Sequence, residues 1–209
     1  REGQVLVAKR CVHKLSDLRD KKVLIPHKFS THHILFYKIL RSVGLTLDDV
    51  DLQIGCKNIK DAAEALSNSN VQAFMLAEPL GTVAQKRQTG DILHLSHNID
   101  AHHIDCVLVL KQELVGKRVA ASQELIESMV RAGMFINAYP RQAAEIGEKF
   151  LGWSKKILLE ALAHDRGHIL FWDLLPRLED FESLQDIAVD EMGLWKNKID
   201  LKPFVYANF

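Results

Sequence analysis

Residues 26–40, PHKFSTHHILFYKIL, place two hydroxyls and two histidines between an apolar run and a helical pattern. Ser30 or Thr31 can cap the helix, with His32 and His33 in its first turn. Backbone N–H groups at a helix start lack intrahelical partners, and the helix dipole puts about half a positive charge beside them. Hydroxyl donors and an imidazole at that point can hold a small anion or a carboxylate. A plainer role fits the same residues: Ser30 caps the helix, and both histidines are solvated. Consecutive helical side chains diverge by about 100°. If His32 shares the hydroxyl edge, His33 turns toward solvent or the neighbouring loop.

A second polar cue is AEPLG, residues 77–81, where Glu78 and Pro79 stand between an apolar run and a helix. A carboxylate there can accept hydrogen bonds from a ligand amine or hydroxyl. It can equally be a first-turn acid ahead of a proline at N1. Four histidines crowd HLSHNIDAHHID, residues 94–105, but the regular Cys/His spacings of structural zinc sites are missing. Adjacent His102 and His103 would point apart in a strand, so no metal is expected and these read as solvated loop histidines. G-x-S-x-G, P-loop, H-E-x-x-H and G-x-G-x-x-G patterns are all absent from the sequence. His32 can be paired on paper with Asp105 or Glu78 as acid and base, but sequence supplies no geometry for it. No cofactor is implied.

The elements that must position these residues alternate. Residues 4–9, 23–25, 51–54, 71–76, 92–95 and 106–110 are strand-like, and helical patterns lie at 31–43, 61–66 and 79–88. Such alternation predicts an α/β sheet, largely parallel, whose ligands bind at the carboxyl ends of its strands. Gly44 closes the first helix. Beyond residue 115 only helices are expected. Ser122 caps one that runs to Asn137, with Leu125, Ile126, Met129, Val130, Gly133 and Met134 on one face. Pro140 and Gly152 bound the next, and others follow near 154–163 and 183–192.

The chain has 209 residues, 47% of them hydrophobic and 26% charged, with equal numbers of acids and bases. That composition suits a substantial core, and the lack of basic excess argues against nucleic-acid binding. No apolar run reaches the roughly 18 residues of a membrane span. Cys11, Cys56 and Cys106 lack metal-ligand spacing and read as buried free thiols, or as one disulfide with a spare thiol.

Residues 15–26 fit L-x-D-L-[RK]-[DG]-K-K-[VI]-x-[IV]-P and lead to Ser30-Thr31-His32, an S-x-H, and a helix ending in Gly44-Leu45. Residues 71–81 fit a D-A-F-x-x-x-E-P-W segment, with Gln72 for the aspartate and Leu80 for the tryptophan. Residues 186–193, DIAVDEMG, stand where a D-x-x-x-x-M-x-x-x-G helix is expected, with the Asp, Met and Gly in order but at other spacings, and 199–209 fit a closing I-D-x-x-x-F-[VI]-x-x-x-F. In this order the motifs resemble ABC-transporter substrate-binding proteins of the nitrate/sulfonate/bicarbonate type, related to thiamine-pyrimidine-precursor proteins. The resemblance implies a two-lobed type II periplasmic-binding-protein-like fold, with lobe two at 23–106. Residues 1–22 and 107–209 would belong to lobe one, whose N-terminal part is expected to be absent.

It also implies a non-enzymatic solute-binding component of an ABC importer, at the periplasm or cell surface, with a membrane permease as partner. A lipid anchor ahead of Arg1 is one arrangement it allows. The solute would be nitrate, bicarbonate, a sulfonate or a pyrimidine-like compound, held by Ser30, Thr31, His32, Glu78 and Pro79. Two other readings are an enzyme of the pyrimidine-precursor or menaquinone-pathway type on the same scaffold, and a ligand-sensing domain.

Overall fold

A short strand, β1 (Gln4–Ala8), is buried along its whole length and sits in the middle of a sheet built from much later residues. In the computed structural model, which describes residues 1–55, 59–68, 71–163 and 169–205, that sheet has five strands in the order β3-β2-β4-β1-β5. The others are β2 (Lys22–Ile25), β3 (Asp51–Ile54), β4 (Ala73–Ala77) and β5 (Asp91–Leu95). β2 pairs in parallel with β3 and β4, whereas β1 runs antiparallel to both β4 and β5. The sheet is therefore mixed, with one reversed strand among four that share a direction. β1 precedes residue 23, the expected start of the α/β unit, yet belongs to that unit's sheet.

Side chains alternate across the strands and build a core on each face. Leu6, Ala8, Val23, Ile25, Ala73 and Met75 pack against Leu35, Phe36, Ile39 and Leu40 of α1 (Thr31–Ser42). Val5, Val7, Leu24, Phe74 and Leu76 pack on the opposite face. Their partners there are α2 (Ala62–Asn68) and α3 (Leu80–Lys86). Helices thus cover both faces, as a sheet buried on both sides requires. Past the end of α1, Gly44 takes φ +72°, and Gly44 and Leu45 N–H groups return to the Arg41 and Leu40 carbonyls. This is the left-handed helix ending that glycine permits.

The second half is helical: α4 (Gln112–Lys117), α5 (Val119–Ala138), α6 (Pro140–Leu151), α7 (Lys155–Ala161) and α8 (Leu178–Asp186), with a π-helical turn at Ile187–Glu191. Trp153 and Ile157 pack against the α2/α3 core, and Lys86 pairs with Glu160 at 2.6 Å. The segment after α8 returns to α1, where Glu191 accepts from Arg41 and from Tyr37. Arg1, its side chain almost wholly buried, donates to Asp173 and Leu175 carbonyls and pairs with Asp180 at 2.6 Å. The amino end of β1 is thereby tied to residues 169–180.

Several expectations are corrected. Residues 106–110, CVLVL, form no strand, because an apolar run supplies β propensity without supplying a partner. Ser122 is not a cap: α5 starts at Val119, and Ser122 is buried inside it with its N–H on the Arg118 carbonyl. Most of the apolar face predicted for α5 is open, with Leu125, Met129, Val130 and Met134 all exposed. Cys11 and Cys106 are free but exposed rather than buried, and Cys56 lies outside the described residues. Among the described residues, no helix is long and apolar enough to cross a membrane.

Candidate functional site

Strands that run the same way deliver their carboxyl ends to one edge of a sheet, and a reversed strand brings its amino end there. β2, β4 and β5 lead to Ser30, Glu78 and Ser96 at this edge, and β1 begins there with Gln4 opposite Ala77. Gln4 is 1% exposed. Its Nε2 donates to Thr31 Oγ1 at 2.7 Å and also to Asp105 Oδ1. An ionised carboxylate can only accept, so the orientation of the amide is settled. The other end, Gln4 Oε1, is a buried acceptor with no partner among the described residues.

Ser30 is the N-cap of α1, as the sequence indicated. Its Oγ accepts from His33 N at 3.3 Å and donates to the His27 carbonyl at 2.7 Å, so its hydrogen is committed. Thr31 opens the helix, and its hydroxyl oxygen accepts from Gln4. His32 is partly buried. Burial pushes its pKa down to about 4, Asp105 pulls it back up, and His103 adds to the lowering. The imidazole is therefore neutral at pH 7.

His33 is not solvated, as the plainer role had it, but takes the other of its two expected directions, into the neighbouring loop, and is 3% exposed. Its Nδ1 lies 2.7 Å from the Lys28 carbonyl, which can only accept, so Nδ1 carries the proton. Nε2 is then a buried acceptor without a partner among the described residues. Burial holds its pKa below the ordinary value.

Glu78 lies on the other face of the sheet. Its Oε2 accepts from Thr82 N at 3.0 Å, and burial raises its pKa. A Cβ on Gly81 would lie 2.8 Å from Val5 Cγ2 and 3.0 Å from Glu78 Oε1, which places the carboxylate beside the α3 side of the core. Pro79 is the N-cap residue of α3 rather than N1, with its carbonyl accepting from Val83 N, and the Glu78–Pro79 peptide is cis. The structure thus groups Thr31 and His32 with Asp105 and sets Glu78 and Pro79 apart, beneath α3.

The histidine-rich segment is not simply a solvated loop. His102 is exposed, but His103 is 6% exposed. His103 Nδ1 faces the Ile104 carbonyl at 3.1 Å, so its Nε2 accepts from Ser96 Oγ at 2.8 Å, and Ser96 Oγ in turn accepts from Gln4 N at 3.3 Å. Glu2, itself buried, accepts from His102 N at 2.7 Å. Among the described residues, no group of three or more His, Cys, Asp or Glu side chains is arranged to hold a metal ion.

Sequence reasoning missed Gln4, Ser96 and His103 as members of this cluster. A glutamine opening an otherwise apolar strand was the available signal for the first, since a buried amide needs partners.

Beside this edge runs a groove of about 460 Å³, lined by Phe29, Ile34, Phe181, Leu184, Trp195 and Leu201, with Ser30, Thr31 and Gln185 as polar members. Phe29 and Trp195 of its lining pack against each other as a tilted pair, ring centroids 6.0 Å apart.

Solved structures sharing this fold include the zinc-bound ligand-binding component of an ABC-type import system from Staphylococcus aureus. It is 21% identical with a TM-score of 0.84, over 98% of this chain and 68% of that one. The alkanesulfonate-binding protein SsuA from Xanthomonas axonopodis pv. citri, bound to MOPS, is 13% identical with a TM-score of 0.78, over 98% and 69%. The desulfurization enzyme DSZB is 14% identical with a TM-score of 0.62, over 99% and 74%. The chain thus spans roughly two thirds to three quarters of the length of these structures. At these identities the likeness is one of fold, and the mixed α/β sheet covered by helices is of the periplasmic-binding-protein-like type that the motifs implied. Among curated protein sequences none matches. The model of the NMT1-like family matches residues 4–149, from the first strand of the sheet into α6, and the chain belongs to that family.

Proposed function

We propose that the protein captures a small polar solute at this sheet edge for an ABC importer and does not change it chemically. The observation that carries the reading is the convergence of Gln4, Thr31, His32 and Asp105 on the edge where an α/β sheet receives ligands. The shared fold of two import-system and sulfonate-binding proteins supports it. Such capture places the protein outside the cytoplasm, with a membrane permease as its partner.

The division into lobes is part of the proposal. Residues 23–106 form lobe two, with β1 joining its sheet as the reversed strand, and residues 107–209 contribute to lobe one. Closure of one lobe on the other, absorbed by the connecting segments, would enclose the solute.

The experiment is calorimetry and thermal-shift measurement against nitrate, bicarbonate, methanesulfonate and aminopyrimidines. A ligand at 100 times its Kd stabilises the folded state by about 2.7 kcal/mol. An enzyme is the second reading, favoured by a neutral His32 beside Asp105 and by the fold shared with DSZB. Recovery of the solute unchanged after prolonged incubation supports capture, and appearance of a product supports the enzyme.

A further inference from the structure

Building on the capture reading, we propose that the solute is an organic molecule with two parts: a head that donates hydrogen bonds, seated at Gln4, Thr31 and Asp105, and an apolar body lying in the groove of Phe29, Ile34, Phe181 and Trp195.

The head follows from what the cluster lacks. The amino end of α1 favours negative charge, but the chain already supplies a carboxylate there. Asp105 is one amide away from Thr31, the first residue of the helix. An oxyanion at this point would meet the Asp105 carboxylate, and His32, neutral at pH 7, does not offset that charge. Gln4 Oε1 is buried and has no donor among the described residues, and the Asp105 carboxylate retains lone pairs beyond those used by Gln4 and the Cys106 thiol. Both atoms ask for N–H or O–H groups. Buried acceptors left without donors are costly, so a ligand that supplies them is favoured over one that does not.

The body follows from the groove. Two of its three polar residues are already satisfied: Ser30 by His27 and His33, and Gln185 by both backbone groups of Ile199 at 2.9 and 3.1 Å. The third, Thr31, is the residue whose oxygen accepts from Gln4. One threonine therefore joins the polar cluster to an apolar channel. Its volume of about 460 Å³ falls in the range of small-molecule sites. An inorganic anion would leave that channel unfilled.

The test is calorimetric titration of the full chain with four probes: benzamidine (donor head and ring), guanidinium (donor head alone), benzenesulfonate (ring with an oxyanion head) and nitrate (oxyanion alone). Benzamidine is expected to bind at least about tenfold more tightly than each of the others. Trp195→Ala should reduce benzamidine binding about tenfold and leave guanidinium unchanged, whereas Asp105→Asn should weaken both. Benzenesulfonate or nitrate binding more tightly than benzamidine would overturn the donor head while leaving solute capture standing. Guanidinium binding as tightly as benzamidine, or no effect of Trp195→Ala, would overturn the apolar body. Failure of all four probes to bind overturns this inference, while solute capture is decided separately by the wider panel.

Discussion

Gln4 and Thr31, 27 positions apart, meet side chain to side chain at 2.7 Å across the edge of the sheet. The contact joins a reversed strand to the first turn of α1, and the same amide reaches Asp105, 101 positions away. Removing the amide leaves Thr31 and Asp105 without their donor. Gln4→Leu, which keeps most of the volume, should cost about 1–3 kcal/mol. Gln4→Glu should cost about 3 kcal/mol or more, because it buries a second carboxylate against Asp105. Urea unfolding midpoints compare the two, and equal costs would show that the charge of Asp105 plays no part.

His32 and His33 separate binding from stability. His32→Ala should weaken solute binding about ten- to a hundredfold, the loss of one hydrogen bond to a polar ligand. His33 is buried, with its Nδ1–H on the Lys28 carbonyl. His33→Ala should therefore lower stability by about 1–3 kcal/mol while shifting affinity much less. Paired titration and denaturation of both variants provide the check.

The pH dependence has a defined sign. Burial holds His32 near 4 in the folded state, against about 6.5 when unfolded, and lowers His33, His94 and His103 as well. In that interval the unfolded chain binds more protons than the folded one, so stability falls as pH drops from about 6.5 toward about 4. The full His32 contribution is on the order of 3 kcal/mol. Glu78, whose pKa is raised by burial, acts the other way, because its folded form is favoured when protonated. Denaturation midpoints at pH 7 and pH 5 should differ, and His32→Gln should shrink the difference. An unchanged difference in that variant would place the titration elsewhere.

Gly90 is a packing constraint on the same sheet. A Cβ there would lie 2.7 Å from the Ala8 carbonyl oxygen and 2.8 Å from Leu66 Cδ1. The first neighbour is backbone in β1 and cannot rotate away. Gly90→Ala should cost about 1–3 kcal/mol, measured by thermal unfolding, with no change in which solutes bind.

What could be read in the sequence was local. The Ser30 cap, the apolar periodicity of α1 and its Gly44 ending are signals within a dozen residues, and each is found where it was expected. The start of α6 at Pro140 and its end before Gly152 are of the same kind. The direction of β1 was not legible, because QVLVA is apolar whichever way it runs. That direction alone puts Gln4 at the ligand edge. Asp105 joined the cluster only through pairing over 101 positions. His33 shows the same limit: helical geometry separates it from His32 by about 100°, but whether that direction leads to solvent or to the Lys28 carbonyl depends on the loop before α1. Glu78 and Thr31 both follow strands of one sheet, yet the alternation of faces places them on opposite sides.

Capture of a small solute at the Thr31–His32 edge is tested most directly by thermal-shift screening of the wild-type chain and His32→Ala in parallel. The panel is nitrate, bicarbonate, methanesulfonate, aminopyrimidines and benzamidine. At least one compound should stabilise the wild type by about 2.7 kcal/mol at 100 times its Kd, be recovered unchanged, and lose most of that effect in His32→Ala. A compound that stabilises both proteins equally would place the site elsewhere, and no stabilisation by any of them would contradict solute capture.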